Sequence, residues 1–308
     1  LFSFSCQLIP PSFVMAIAFT VFSFEDQLPP AITAVSTDKL SIEKKDNIGI
    51  LWLNRAEKYN ALSSDLWGGI PYALNEIMLD DDINAIILAG RGKHFCVGID
   101  IVEAGFATGT QSDEACSEAQ SNLRQLENTQ RFQAAISSIA ECELPVIAVI
   151  HGHCLGAGVD LITACDIRIC SDDANFSIRE TKIGLVADVG TLQRLPKLLN
   201  AGHVAELAYS GKDISARRAE KIGLVNDVFE SFDAAYDAAY ALASEIASNS
   251  TLAVRGTKFI LRQSETLTTD QSLLLNGMFT LMTSLKSNDL KESMKAFFEK
   301  RPPKYTGT

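Results

Sequence analysis

Three acidic residues are the side chains of this sequence most suited to proton-transfer chemistry. They are Asp160, Glu180 and Asp188, and the last two lie in a mostly aliphatic segment. Carboxyl groups in apolar surroundings bind protons more tightly than in water, and neighbouring carboxylates strengthen the effect. Such a set can supply both an acid and a base at neutral pH. The alternative is a loop of surface acids in which Glu180 pairs with Arg179 or Lys182.

Two glycine-containing turns offer backbone chemistry near these acids. Residues 152–158 (GHCLGAG) connect an apolar strand to a predicted helix, and residues 94–100 (HFCVGID) follow another strand. Small residues let the backbone approach a ligand, and N–H groups at a helix start stabilise negative charge. Two such turns suffice for an oxyanion hole, although each also fits a tight structural connection. Neither turn is a GxGxxG or Walker motif, which disfavours nucleotide binding.

Other conspicuous residues predict no metal site and no reactive thiol. His151 and His153 form an HxH pair, but no third ligand stands at metal spacing, so a packing or loop role is expected. Cys96 and Cys154 border the two turns without a well-placed His–acid pair to activate them. The seven cysteines contain no CxxC pair and indicate reduced, mostly buried thiols of an intracellular protein.

Alternating strands and helices must position these groups. Apolar runs predict strands at residues 48–53, 83–89, 146–150 and 167–170. Helices are predicted from residue 63 or 64 to 78, and up to residue 139 after a polar stretch at 105–120. This alternation favours an α/β class with a buried, mainly parallel sheet and active-site loops at strand ends. After residue 229 the spacing is helical at 232–248, 252–263, 270–284 and 290–298.

Length and composition limit the classes of protein. A chain of 308 residues, 47% hydrophobic and 21% charged, fits a large globular domain with an appendage or two medium domains. Its net charge of −11 makes nucleic acid an unexpected partner, so an anionic substrate requires a local cluster of Lys and Arg. The uncharged run at 12–24 is too short to span a membrane and no clear targeting signal is seen. We interpret residues 1–14 as an upstream extension of a protein that starts at Met15.

The order of these motifs resembles the crotonase, or enoyl-CoA hydratase/isomerase, superfamily over residues 41–301. The similar segments are 53–62 (LNRAEKYNAL), 94–100, 145–152 (PVIAVIHG), 152–168 and 191–196 (TLQRLP). The resemblance implies an α/β fold with a crotonase-like ββα spiral core and a C-terminal all-α trimerisation region. It implies an N-terminal extension (1–36), a spiral catalytic core (37–229) and a helical C-terminal region (230–308). It also implies self-association as a trimer or dimer of trimers, and a mitochondrial or peroxisomal location.

The resemblance also assigns roles to residues in the two turns. It implies that the backbone N–H groups of Ile99 and Ala157 form an oxyanion hole for an acyl-CoA substrate. Family members usually carry Gly where this chain has Ala157, a tolerable departure because only the N–H is required. The residues expected to bind the substrate are Val97, Gly98, Ile99, Asp100, Ile101 and Ala157. Coenzyme A is then part of the substrate, and no separate cofactor is expected.

Cations are needed for the phosphates of coenzyme A. The candidates near the two turns are Arg55, Lys58, Arg91 and Lys93, and those in the tail are Lys291, Lys295, Lys300 and Arg301. Any one of them is as readily a solubilising surface charge. The tail residues would act from a neighbouring subunit.

The acid set resembles that of the dienoyl-CoA isomerases within this superfamily. Similar hydratases carry Glu at positions 160 and 180 and Gly at 188, whereas this chain has Asp160, Glu180 and Asp188. The implied reaction converts 3,5-dienoyl-CoA to 2,4-dienoyl-CoA in the β-oxidation of unsaturated fatty acids. Asp188 would remove the C2 proton and Glu180 would protonate C6. Asp160 would orient these two acids or adjust their protonation. The alternatives are a 2-enoyl-CoA hydratase that uses Glu180 with Asp160, and a non-catalytic scaffold such as an RNA-binding relative.

Overall fold

The computed structural model describes residues 37–103 and 117–308. The extension predicted for residues 1–36 and most of the polar stretch predicted for 105–120 lie outside the described residues. The described residues belong to one compact unit. The division of this unit at residue 229 into a core and a helical region stays a prediction.

The described part of the chain contains nine strands. They are β1 (Leu40–Lys45), β2 (Ile48–Leu53), β3 (Ala85–Gly90), β4 (Val146–Ile150), β5 (His153–Leu155), β6 (Ile167–Ser171), β7 (Asn175–Ser177), β8 (Ile214–Ser215) and β9 (Asp227–Phe229).

Six of these strands form the main sheet, in the order β1-β2-β3-β4-β6-β9. All neighbours are parallel except β1, which pairs antiparallel with β2 at one edge. Every residue of β2, β3 and β4 is buried, as expected for a parallel sheet covered on both faces. The predicted α/β class and the four predicted strands are therefore confirmed. Strand β1 escaped prediction because its sequence, LSIEKK, ends in charged residues at an exposed edge.

A second sheet has three strands in the order β5-β7-β8, and its strand β5 is part of the segment at 152–158. Strands β5 and β7 follow the main-sheet strands β4 and β6 after short turns, which gives repeated ββα units. These strands are only two or three residues long, too short for an alternating pattern to be recognised.

Ten α-helices are present among the described residues. They are α1 (Ser64–Met78), α2 (Glu118–Glu141), α3 (Ala157–Ala164), α4 (Thr191–Leu198), α5 (Ala201–Ser210), α6 (Ala216–Ile222), α7 (Phe232–Ala247), α8 (Thr251–Ser264), α9 (Thr269–Met282) and α10 (Asn288–Glu299). The four helices predicted after residue 229 correspond to α7–α10 within two residues at each end.

The main sheet is covered on both faces by helices. On one face lies α7, whose Ala235, Ala239 and Ala243 are fully buried against the sheet. Their spacing of four places them in one row, and their small side chains let the helix approach the strands closely. On the other face a larger core includes residues from α1, α2 and α3. The strand ends, and the turns that follow them, are thereby held rigidly.

The two turns singled out in the sequence are joined by hydrogen bonds. The N–H of Phe95 donates to His151 O (2.9 Å), and that of Cys96 donates to His153 O (3.1 Å). The N–H of Leu155 donates back to Cys96 O (2.9 Å). This short parallel ladder pairs Cys96 with Cys154 of β5, in the second sheet. It fixes the turn at 94–100 against the turn at 152–158.

Asn60 clamps the first of these turns from the other side. Its side-chain amide donates to Arg91 O (2.9 Å) and His94 O (2.8 Å), and its oxygen accepts from the N–H of Arg55 (2.9 Å). The residue is fully buried and has a φ of 56°. Asparagine tolerates this left-handed conformation better than most residues.

Replacing Asn60 by Ala should lower the free energy of unfolding by about 2–4 kcal/mol. The change removes three buried hydrogen bonds, leaves their backbone partners unpaired and strains the left-handed backbone. Urea titration followed by circular dichroism measures the effect. Asn54→Ala is the control, since Asn54 is exposed and donates a single side-chain bond to Asp38 O. An Asn60→Ala protein as stable as the Asn54→Ala protein would contradict the clamp.

Candidate active site

The two turns meet at Gly98 and Ala157. Gly98 has a φ of +99°, a conformation that L side chains rarely adopt. A Cβ added there would lie 3.0 Å from Leu155 O and 3.6 Å from the backbone nitrogen of Ala157. Glycine therefore permits both the turn and the close approach that brings the neighbouring Ile99 near the start of α3.

The N–H groups of Ile99 and Ala157 are both uncommitted among the described residues. Leu62 donates to Gly98 O (2.8 Å) and accepts from the N–H of Asp100 (3.1 Å). This parallel bridge directs the N–H of the intervening Ile99 away from Leu62. Ala157 is the first residue of α3, where a helix leaves its N–H groups without intrahelical acceptors. The arrangement can offer two donors to one oxygen atom.

Asp160 lies in the first turn of α3 and is completely buried. Its Oδ1 accepts a hydrogen bond of 2.5 Å from the N–H of Thr191, while Oδ2 has no partner among the described residues. Burial raises the pKa of Asp160 to about 6, against the opposing effect of hydrogen bonding from Thr191 and the charge of Arg194. This carboxyl group is held in place at one oxygen and available at the other.

Glu180 begins a short 3₁₀ turn, Glu180–Ile183, and is half-buried. A Cβ added to Gly156, the residue before Ala157, would lie 3.4 Å from Glu180 Oε1. The carboxyl group thus stands beside the start of α3, and its Oε2 is buried without a partner in the described structure. Burial, together with the charges of Asp160 and Asp188, raises the pKa of Glu180 to about 7.

The alternative pairing of Glu180 is wrong. Arg179 forms its ion pair with Asp213 (2.8 Å), and Lys182 is exposed and makes no ion pair within the described residues. Glu180 therefore has no ion-pair partner within residues 37–103 and 117–308.

Asp188 differs from the other two acids because its side chain is exposed. The nearby Ile183, Leu185 and Val186 are also exposed, so the aliphatic neighbours do not bury this carboxylate, and for Asp188 the alternative of a surface acid in a loop describes its exposure. Its charge nevertheless acts on both other acids, raising the pKa of Glu180 and of Asp160. The three predicted acids are thus brought into one electrostatic group.

The other predicted substrate-binding residues lie along the turn at 94–100. Val97 is half-buried, and its N–H donates to Tyr59 O (3.3 Å). The carboxylate of Asp100 pairs with Arg55 (2.8 Å) and accepts from the N–H groups of Val102 and Glu103. These contacts, led by the bond from Glu103, lower the pKa of Asp100. Asp100 is thus occupied in fixing the turn.

Ile101 is exposed, at the end of the described segment 37–103. Its contact with substrate, like that of the other turn residues, stays a prediction. The turn itself is held by contacts with other parts of the protein, such as those of Val97 with Tyr59 and of Asp100 with Arg55.

The thiols and histidines near the turns are in structural positions. Cys96 and Cys154 are fully buried, and burial raises the pKa of both, that of Cys96 to about 12. His151 bonds to Gly92 O through Nε2 (2.9 Å), and the ring of His153 stacks on His94 with centroids 4.4 Å apart. Among residues 37–103 and 117–308, no group of three or more His, Cys, Asp or Glu could hold a metal ion.

Several candidate phosphate-binding cations are engaged elsewhere. Arg55 pairs with Asp100, Arg91 with Glu43 (3.3 Å) and Arg301 with Glu292 and Glu299. Lys58 and Lys93 are exposed and make no ion pair with any described residue. Of the four candidates near the turns, these two lysines are the ones without an ion-pair partner among the described residues.

Sequence reasoning missed three residues that hold the acids. Thr191 anchors Asp160 through its N–H, and Arg194 is a half-buried cation near that carboxyl group. Gln133, on α2, donates from Nε2 to Asp188 O (2.6 Å). Each of these residues lies more than 30 positions from the acid it acts on. No local pattern in the sequence indicates such long-range contacts.

Comparison with known proteins places these features in a family. The family model described as Enoyl-CoA hydratase/isomerase matches residues 43–308. The chain is 43% identical over 271 residues to a mitochondrial Δ(3,5)-Δ(2,4)-dienoyl-CoA isomerase of Dictyostelium discoideum, covering 86% of this chain and 90% of the relative. It is 41% identical over 255 residues to a peroxisomal Δ(3,5)-Δ(2,4)-dienoyl-CoA isomerase of Arabidopsis thaliana, covering 83% and 91%.

A solved structure of an enoyl-CoA hydratase from Bacillus anthracis has the same fold. It superposes with a TM-score of 0.78 at 29% sequence identity, over 88% of this chain and 100% of that one. The α/β crotonase-like fold with C-terminal helices, which the resemblance implied, is therefore confirmed, and it contains two sheets. No helix among the described residues is both long and apolar enough to cross a membrane.

Replacing Glu180 by Gln should stabilise the protein at alkaline pH while damaging the site. The folded protein raises the pKa of Glu180 from 4.5 to about 7, so it binds this proton more tightly than the unfolded chain does. Ionisation therefore costs stability, increasingly as the pH rises from about 4.5 to about 7. Glu180→Gln should gain about 1–3 kcal/mol at pH 8 and almost nothing at pH 4.5, as measured by urea titration.

Glu206→Gln is a control of opposite sign. Hydrogen bonding from Lys212 lowers the pKa of Glu206, so its charged form stabilises the fold and the substitution should not stabilise it at pH 8. If Glu180→Gln and Glu206→Gln changed the free energy of unfolding equally at pH 8, the burial of Glu180 would be contradicted.

Proposed function

The chain belongs to the enoyl-CoA hydratase/isomerase family, and we propose that it isomerises 3,5-dienoyl-CoA to 2,4-dienoyl-CoA. The family implies an acyl-CoA substrate. The observation that carries the proposal is the set of three interacting carboxyl groups, in which Asp188 joins Asp160 and Glu180. The names of the two dienoyl-CoA isomerase relatives support the same activity.

The reaction needs a base and an acid at opposite ends of a diene. Moving both double bonds one carbon toward the thioester requires loss of a proton at C2 and gain of one at C6. Asp188 serves as the C2 base. Glu180, with a pKa of about 7, is partly protonated at neutral pH and delivers the proton to C6. No water enters the product.

The backbone donors stabilise the intermediate. Removal of the C2 proton makes a dienolate whose charge reaches the thioester oxygen. The N–H groups of Ile99 and Ala157 bind this oxygen, and the start of α3 adds a favourable dipole. Loss of one such donor typically costs about 10²–10³ in rate. The hydrogen-bonded ladder between the two turns holds both donors in place before substrate arrives.

Asp160 tunes the pair of reacting acids. It is buried and fixed by Thr191, and its charge raises the pKa of Glu180. A proton shared between Asp160 and Glu180 would keep one of them neutral, as happens when carboxyl groups interact strongly. The same two acids could instead hold the water of a 2-enoyl-CoA hydratase. Assaying both reactions therefore tests the choice.

The coenzyme A part of the substrate is bound as an anion. Lys58 and Lys93 flank the turn at 94–100 and have no ion-pair partner in the described residues. They can neutralise phosphate locally in a protein of net charge −11. Coenzyme A supplies the thioester as part of the substrate, and no separate cofactor is proposed.

Self-association is proposed from the C-terminal helices. Large apolar side chains of α9 and α10 are exposed, including Met282 (72%), Phe297 (74%) and Phe298 (75%). Exposed large apolar side chains concentrated on neighbouring helices of the sequence favour an interaction site. We propose that copies of the chain cover it as a trimer or dimer of trimers. A mitochondrial or peroxisomal location is proposed from the names of the two relatives.

Replacing Asp188 by Asn should lower the isomerisation rate at least about 10²-fold, because an amide cannot accept the C2 proton. The assay follows the rise in absorbance as a conjugated 2,4-dienoyl thioester forms from a 3,5-dienoyl-CoA. A second assay follows the loss of the 2-enoyl thioester band on hydration. The wild-type protein should be active in the first assay and much weaker in the second.

Asp81→Asn is the matched control, since Asp81 is also an exposed aspartate but lies in the turn before β3. It should retain full activity. Strong hydration by the wild-type protein without dienoyl product would refute the isomerase proposal. Unchanged isomerisation by the Asp188→Asn protein would refute the role of Asp188 as the C2 base.

A further inference from the structure

We propose that Gln133 is a positioning residue that aims Asp188 at the substrate. Its side-chain amide donates a hydrogen bond of 2.6 Å to the backbone oxygen of Asp188. The inference rests on the proposed function, in which Asp188 is the C2 base. Gln133 acts through Asp188 and does not itself touch the reacting atoms.

The backbone around Asp188 has few other supports. Residues 185–188 form neither helix nor strand. The segment is anchored at its start by the N–H of Leu185, which donates to Glu180 O (2.9 Å), and at its end by the N–H of Thr191, bound to Asp160. Between these anchors the backbone oxygen of Asp188 accepts from Gln133, and that of Val189 accepts a long contact of 3.5 Å from Arg194. Gly190 O, two residues after Asp188, accepts from the N–H groups of Gln193 (3.1 Å) and Arg194 (2.9 Å). Among the described residues, the peptide oxygen of Asp188 itself is bonded by Gln133.

The side chain of Asp188 cannot orient itself. It is exposed, and its carboxylate makes no hydrogen bond or ion pair with any described residue. The side chains of Ala187 and Val189, on either side, are buried and limit translation of the segment. Rotation of the Asp188 peptide is then restrained chiefly by its carbonyl group, which Gln133 holds. Because a misplacement of about 1 Å can cost about 10²-fold in rate, this restraint bears directly on catalysis.

Helix α2 provides a rigid base for Gln133. Ala135, Ile136 and Ile139 are buried in the core on one side of the helix. The indole N–H of Trp67, on α1, donates to Phe132 O (2.9 Å), so the residue next to Gln133 is also fixed. Gln133 itself is half-buried at the surface of the helix. It links the well-packed core to the exposed loop that carries Asp188.

The test is Gln133→Met, which keeps the length and shape of the side chain but removes the donor. The kcat for isomerisation should fall about 10-fold to 100-fold, with KM changed less than about twofold, because binding does not require the C2 base. The melting temperature should stay within about 2 °C of the wild-type value, since one partly exposed bond is lost. Gln130→Met is the control: Gln130 is exposed on the same helix and its side chain has no described partner.

A pH profile separates positioning from a purely structural effect. Gln133→Glu puts a carboxylate beside the Asp188 peptide, where it repels the carbonyl oxygen and the charge of Asp188. The acid limb of the profile of kcat/KM should move upward by about half a pH unit or more. A kcat for Gln133→Met within twofold of that for Gln130→Met, or an unmoved acid limb for Gln133→Glu, would overturn the inference.

The double variant identifies which proposal fails. If Gln133 acts through Asp188, adding Gln133→Met to Asp188→Asn should cause no further loss of the residual rate. A further loss would show that Gln133 acts elsewhere. A wild-type protein that hydrates a 2-enoyl-CoA and forms no 2,4-dienoyl product would refute the proposed function. Full isomerisation by Asp188→Asn alone would refute the role of Asp188 as the C2 base and, with it, that of Gln133. An inactive Asp188→Asn with a fully active Gln133→Met would refute only the role of Gln133.

Discussion

The structure depends on one constraint: two carboxyl groups are buried away from water, next to backbone N–H groups that have no hydrogen-bond acceptor among the described residues. Asp160 and Glu180 each keep a buried oxygen without a partner among the described residues, and burial raises both pKa values toward neutrality. Such burial is unfavourable in isolation. It persists because Thr191 binds one oxygen of Asp160 and the surrounding core holds both acids in place. A site that retains unsatisfied acids at this cost is expected to be functional.

The fold supplies this environment through the ends of parallel strands. Strands β3 and β4 continue into the two turns, and the ladder from Phe95 to Leu155 locks the turns together. Gly98 then allows the first turn to approach the start of α3, where Ala157 presents its N–H. The donors thus come from backbone held by the sheet, and the acids come from α3 and the loop that follows β7. Backbone from a packed core changes little when charge develops, which favours electrostatic stabilisation.

Much of this could be predicted from the sequence, and the exceptions have physical causes. The apolar runs predicted the main strands because fully buried parallel strands are continuously apolar. The acids and glycine turns were found because residue type alone indicates their chemistry. The exposure of Asp188 could not be predicted, since aliphatic neighbours face outward as readily as inward in an irregular segment. The contacts of Asn60 and Gln133 were also hidden, because both bind backbone oxygens brought near by tertiary packing.

The position of solvent-derived deuterium in the product tests the central claim most directly. The wild-type protein is given a 3,5-dienoyl-CoA in D₂O, and the product is analysed by NMR and mass spectrometry. With separate residues as the C2 base and the C6 acid, Glu180 exchanges with solvent before it protonates the dienolate. The account therefore predicts 2,4-dienoyl-CoA with one deuterium at C6. A 3-hydroxyacyl product, or a dienoyl product without deuterium at C6, would contradict it.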